Sequence, residues 1–303
     1  MTAVQTEVEF IRDAPISTWF RVGGTADRLA RPTSVEEVAR CVRAERRVRV
    51  LGDGANLLVA DRGVDGLVLD LERMNTVTID AKSGFVRAEA GADLFRLINQ
   101  TTRAGLAGLE VLAGIPASVG GAVMMNAGGR FGNIAETIRA VEVVRPDGTS
   151  ERIERPSIAF EYRTSGIRGV IVSAEFQLTP QDPGAVRDRL KQCMAYKKAS
   201  QPLNADSAGC CFKNPVLREA IEGIGRTGER VSAGLLLDRA GCKGMRSGGA
   251  AVSREHANFL ITSPGSTATD LIALMNLAAQ RVFDAFGVRL EREVVIWDRE
   301  DAP

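Results

Sequence analysis

Two glycine-rich stretches are the places in this 303-residue chain where backbone, rather than side chains, could do chemistry. One is the run Leu51, Gly52, Asp53, Gly54, Ala55, Asn56, Leu57. The other, Gly105 to Arg130, reads GLAGLEVLAGIPASVGGAVMMNAGGR, with seven glycines, one proline and almost no charge. Glycine loses more freedom on folding than any other residue and proline removes an amide donor, so such runs weaken regular structure. Either stretch alone could be an apolar turn in a core. Two loops able to present bare amides point instead to one large, phosphate-bearing cofactor held between them. The familiar fingerprints are incomplete here. Gly52 and Gly54 fit the first two positions of GxGxxG, but Leu57 takes the third, and no GxxxxGK[ST] occurs. A nicotinamide Rossmann domain and a P-loop ATPase therefore lose most of their support.

Other chemistries are thinly supplied. There is one histidine, His256, inside the strand-like HANFLIT, which reads as structural or at a strand mouth. The five cysteines, Cys41, Cys193, Cys210, Cys211 and Cys242, are odd in number and have no CxxC spacing, so neither a disulfide framework nor a zinc site is expected. Ser-His-Asp chemistry is a poor fit as well. A net charge of +1 gives no field to recruit nucleic acid. The first fifteen residues lack an apolar signal core and no run is long enough to span a bilayer, so a cytoplasmic protein without membrane or nucleic-acid partners is expected.

The elements that must hold the loops follow from patterning. Ser34 and Glu37 form a capping box opening a helix to about Arg46. A strand from Val48 to Leu51 feeds the first glycine loop, and another runs from Leu67 to Leu71. From Thr76 the pattern alternates, TVTID then FVRAEAG, before a helix from Asp93 to Arg103. Beyond the second glycine stretch, AVEVVRP and TSERIE are joined by Asp147-Gly148, a hairpin signal. Gly169 to Leu178 reads as a strand, and a helix ends near Lys198. The last third holds the short strand ANFLIT, a long helix capped by Thr267 and Asp270 and ended by Gly287, and a final strand, VRLEREVVIW.

Six motifs, LGDGANLLV, GLEVLAGIPASVGGAVMMNAGG, FEYRTSG, AGCCFKNP, SAGLLLDRAGCKGMRSGGAAVS and VRLEREV, stand in order from about Thr18 to Val295. Together they closely resemble the UDP-N-acetylenolpyruvoylglucosamine reductase (MurB) family. The resemblance implies an α+β (mixed α/β) fold: a two-subdomain FAD-binding module of the vanillyl-alcohol-oxidase type plus a C-terminal α+β substrate domain. The boundaries it implies are 1–71, joined by the C-terminal strand 288–303, then 72–180, then a substrate domain at 198–287.

It also implies non-covalent FAD and NADPH as hydride donor. NADPH would reduce the flavin, which would then deliver hydride to the enolpyruvyl double bond of a nucleotide sugar. Carried over by position, the cofactor residues are Gly52, Asp53, Gly54, Ala55, Asn56 and Leu57 in one loop. In the other they are Gly114, Ile115, Pro116, Ala117, Ser118, Val119, Gly120 and Gly121, with Asn126 nearby. Arg163 matches the family arginine, whose planar fork suits a carboxylate. Glu293 matches the catalytic glutamate, on the last strand, and Lys198 and Asn214 would meet the substrate's phosphates. Where the family usually has a serine as proton donor, this chain has Cys210. A thiol with a pKa of about 8.5 is still mostly protonated at neutral pH and can donate. Cys211 reads as a buried, inert thiol. After Arg163 the chain passes straight into a strand, resembling the shorter class that lacks a tyrosine-bearing loop. A monomer is expected. Two alternatives stay open: an FAD oxidase or dehydrogenase of the same architecture, and a non-catalytic flavin or nucleotide-sugar binder.

Overall fold

The computed structural model describes residues 9–299; residues 1–8 and 300–303, counted above with the first subdomain, lie outside them. The chain divides into two compact units. The first takes Ala26–Asp53 and Asp65–Tyr196 together with the segment ending at Ala14; the second takes Pro15–Thr25, Gly54–Val64 and the chain from Lys197 onward. Among the described residues no helix is long and apolar enough to cross a membrane.

The first unit carries two sheets. One has the order β1 (Phe10–Pro15), β2 (Thr25–Ala30), β5 (Val64–Asp70), β3 (Val48–Leu51), with β3 and β5 parallel. The five-stranded sheet orders Ser150–Glu154, Ile138–Val144, Val170–Gln177, β7 (Phe85–Glu89) and β6 (Val77–Asp80) as antiparallel neighbours. The predicted hairpin forms: Gly148 takes φ +80° and the Asp147 carboxylate accepts from the Thr149 amide at 2.8 Å. Helix α1 (Val35–Ala44) starts at Ser34, whose Oγ accepts from the Glu37 amide. The reciprocal half of the box differs from expectation, because the Glu37 carboxylate takes the amide and hydroxyl of Thr33, one residue earlier. Helix α2 (Leu94–Arg103) is capped by Asp93 and buries Leu94, Leu97, Ile98 and Thr101, one helical stripe. Its core is continuous with the β7 and Val170–Gln177 strands through residues such as Val86, Val172 and Phe176.

The second unit has its own core, built on Phe20, Leu58, Phe212, Leu237, Leu260, Leu271 and Met275. Its longest helix, α6 (Ala268–Phe286), has the predicted capping box of Thr267 and Asp270, and Gly287 ends it at φ +67°. Asp61, 207 residues away, completes the cap by accepting from the amides of Ala268 (2.8 Å) and Thr269 (2.9 Å) and from the Thr269 hydroxyl. Burial opposes charge on this carboxyl, but those three donors hold its pKa below the usual value.

Two expected strands are shorter than the sequence implies. Of ANFLIT only Leu260–Ile261 is strand, and of VRLEREVVIW only Val295–Trp297, which runs parallel to β4 (Leu57–Val59). Residues 291–293 instead bond the irregular segment 211–213, through Lys213 N to Glu291 O and Glu293 N to Cys211 O. Glu293 therefore precedes the last strand rather than lying on it. Asp61→Ala should cost about 1–2 kcal/mol of stability in urea unfolding, the loss of a helix cap. Wild-type stability in that variant would mean that Thr267 and Asp270 cap α6 unaided.

Candidate active site

In the first unit the two glycine stretches meet. A Cβ added at Gly52 would stand 2.4 Å from Ser118 Oγ, and one at Gly120 would stand 2.8 Å from the Cβ of Ala90. Ser118 caps the short helix α3 (Val119–Met124) by accepting from the Gly121 amide. Several amides expected to be bare are used internally. Ile115 donates to Leu112 O, Val119 to Ala92 O and Gly120 to Ala90 O. The cause is close docking of α3 on residues 90–92, so part of the glycine content answers to packing.

Helix α3 ends in a Schellman motif. Asn126 N donates to Val123 O and Ala127 N to Ala122 O, with Asn126 left-handed at φ +42°. Asn126 Nδ2 reaches Glu161 O at 2.9 Å, whereas its Oδ1 is buried without a hydrogen-bond partner among the described residues. Glu161 and Thr164 close a tight turn in which Arg163 takes φ +62°. That third turn position is one that favours glycine or asparagine, so an arginine there breaks a local preference. Arg163 Nη1 donates to Gly128 O at 2.9 Å and its guanidinium lies 5.1 Å from the Tyr162 ring centroid.

In the second unit the pairing of Val295–Trp297 with β4 brings the chain's far end to the first loop. Asn56 Nδ2 donates to Glu293 O at 3.0 Å, and Val295 N donates to Asn56 O. Glu293 N in turn donates to Cys211 O at 2.8 Å, so the Cys210-Cys211 segment and Glu293 are backbone neighbours. Gly209 before them is left-handed at φ +79°, with nothing within 4 Å of where a Cβ would be. Cys210 is half-buried. Cys211 is fully buried, and burial pushes its thiol up to about 12, in keeping with an inert role.

Asn258, which the sequence reading passed over, fixes this segment. Its buried amide accepts from Phe212 N (2.9 Å) and donates to Phe212 O (2.8 Å), while its backbone carbonyl takes Cys211 N. A lone asparagine inside the apolar HANFLIT was the available signal. His256 is structural: its Nδ1 accepts from Asn258 N, its ring meets Phe259 edge-on, and burial lowers its pKa. Asn214 uses Oδ1 on the Ala233 amide, at the start of helix α5 (Ala233–Arg239). Lys198 is exposed in the last turn of α4 (Pro183–Ser200). Asp53 is exposed, Ala55 half-buried and Leu57 buried at the start of β4.

A buried acceptor lacking a protein donor, beside glycines whose lost side chains permit close backbone approach, fits a flavin nucleotide that brings its own N–H groups. Residues 26–154 match the family model of an FAD binding domain. The chain is thus an FAD-containing oxidoreductase. Residues 201–297 match the C-terminal domain of UDP-N-acetylenolpyruvoylglucosamine reductase. The chain is similar to the reductases of that name from Moorella thermoacetica (37% identity; 96% of this chain, 94% of the relative) and from a Synechococcus species (39%; 93% and 90%). The crystal structure of the Thermus caldophilus reductase is similar at TM-score 0.79 and 36% identity, over 96% of this chain and 99% of that one. The chain belongs to the UDP-N-acetylenolpyruvoylglucosamine reductase family.

Burial predicts the order of thiol reactivity. Iodoacetamide applied to the folded protein, followed by peptide mass mapping, should label Cys210 first and leave Cys41, Cys193, Cys211 and Cys242 until denaturant is added. Labelling of Cys211 ahead of Cys210 would contradict the assignment of the two.

Proposed function

We propose that this chain reduces the enolpyruvyl group of UDP-N-acetylenolpyruvoylglucosamine to give UDP-N-acetylmuramate for peptidoglycan precursor synthesis, with NADPH as hydride source. Family membership supports the substrate. The observation that carries the assignment of roles is the adjacency of the Cys210-Cys211 segment to Glu293, joined by the Glu293 N to Cys211 O bond.

When bound, FAD would supply the hydride chemistry between NADPH and C3 of the enolpyruvyl group. Negative charge then builds on C2 and its carboxylate, where fixed donors and an acid are needed. Arg163 meets the carboxylate with its guanidinium, already aimed by Gly128 O and the Tyr162 ring. Cys210 gives its thiol proton to C2 and regains one from water, to which its half-buried position leaves access. Glu293 completes the site beside it. Lys198 and Asn214 face the diphosphate in this reading. The glycine loops, Gly52 to Leu57 and Gly114 to Gly121, would hold the FAD with Asn126 close by, using backbone amides other than those of Ile115, Val119 and Gly120, which already donate within the protein.

We assign 1–71 with 288–303, and 72–180, to the flavin, and 198–287 to the nucleotide sugar; the pairing of Val295–Trp297 with Leu57–Val59 supports joining the last strand to the first segment. The protein acts as a cytoplasmic monomer of the shorter class, on a small nucleotide sugar and without nucleic acid.

Product formation is read by mass spectrometry alongside NADPH consumption. Cys210→Ser should stay active. Cys210→Ala should leave flavin reduction by NADPH intact and slow reduction of the enolpyruvyl substrate about 10²- to 10⁴-fold, the range for losing a general acid. Equal loss of both half-reactions would refute Cys210 as the proton donor.

A further inference from the structure

We infer that Asn126 is a positioning residue for Arg163, setting how the arginine receives the substrate carboxylate; this rests on the assignment of Arg163 to that carboxylate. The two residues are laced together from both sides. Asn126 Nδ2 donates to Glu161 O, the carbonyl that opens the tight turn carrying Arg163, and Arg163 Nη1 donates back to Gly128 O, two residues beyond Asn126. Ser165 N closes the lacing on Met124 O at 3.0 Å.

A plainer explanation of Asn126 is its backbone. It sits at the left-handed position of a Schellman motif, where asparagine is tolerated. Glycine, however, is what that position favours, and this segment is already rich in it, with Gly128 and Gly129 two and three residues on. Backbone conformation therefore selects against asparagine here, and what the side chain adds within the protein is the bond to Glu161 O. The turn it steadies is one that needs steadying, because Arg163 is held at φ +62° without the ease of a glycine. Release of Glu161 O would let the turn relax and carry the guanidinium off its line. A bidentate contact with a carboxylate is sensitive to such a shift, since both N–H groups must align together.

The test is calorimetric binding to the oxidised, FAD-loaded protein, with no NADPH present. Two ligands are compared: UDP-N-acetylenolpyruvoylglucosamine, and UDP-N-acetylglucosamine, which lacks the carboxylate. Wild type should prefer the first. Asn126→Gly, which suits the backbone, is compared with wild type at equal FAD loading; it should keep its affinity for UDP-N-acetylglucosamine while binding the enolpyruvyl compound about 10- to 100-fold more weakly. Asn126→Asp, which sets an acceptor against Glu161 O, should show the same selective loss. If Asn126→Gly weakens both ligands equally, or neither, the residue serves the backbone alone and the inference is wrong. If wild type itself does not distinguish the two ligands, the carboxylate assignment of Arg163 fails instead.

Discussion

The register between Val295–Trp297 and Leu57–Val59 is the constraint on which the second unit's chemistry depends. It is a short parallel pair, and parallel strands need a long crossover to meet; here that crossover is most of the chain. Once Val295 is set opposite Leu57, Asn56 is in place to donate to Glu293 O and Glu293 N to reach Cys211 O. A slip of one residue would turn every side chain of the strand to its other face and carry Glu293 away from Cys210. Asn258 pins the other side of the same segment by imitating a strand neighbour with its side-chain amide. The segment carrying the proposed acid is thus held on both flanks, by the Glu293 backbone on one and by the backbone and side-chain amide of Asn258 on the other, and Cys210 itself stays half-buried.

The first unit keeps its functional residues by overriding local preference. Arg163 and Asn126 both adopt left-handed backbone, and each is locked by a bond to the segment bearing the other. Backbone departures of this kind persist only where surrounding contacts over-determine them, and they gather at working sites. The glycines do the opposite service. A Cβ at Gly52 would strike Ser118, so the two loops meet there because that side chain is absent, and Gly120 in the same way lets α3 dock against Ala90.

Much of this was legible in the sequence where the cause is local. The capping box and terminal glycine of α6, the Asp147-Gly148 hairpin and the helix from Asp93 to Arg103 all form as read, because each rests on residues close together in the chain. The motifs that resemble the reductase family lie in the region the comparisons match. What was not legible depends on distant partners. The Asp61 cap on α6 spans 207 residues to Ala268, and no pattern near either end announces it. The final strand reads as ten residues, but 291–293 are diverted to a segment eighty residues upstream. Counting glycines also overestimated the bare amides, since sequence does not reveal that Val119 and Gly120 would donate to Ala92 and Ala90.

The most direct measurement is an anaerobic two-step titration of the purified protein, following its flavin absorbance. NADPH is added until the yellow band bleaches, and then UDP-N-acetylenolpyruvoylglucosamine is added. Return of the band on the second addition, without oxygen, is the predicted result and joins both hydride transfers in one protein. A band that bleaches and returns only when oxygen is admitted would contradict the account and favour an oxidase, and a protein that binds no flavin would overturn the reading of the two glycine loops.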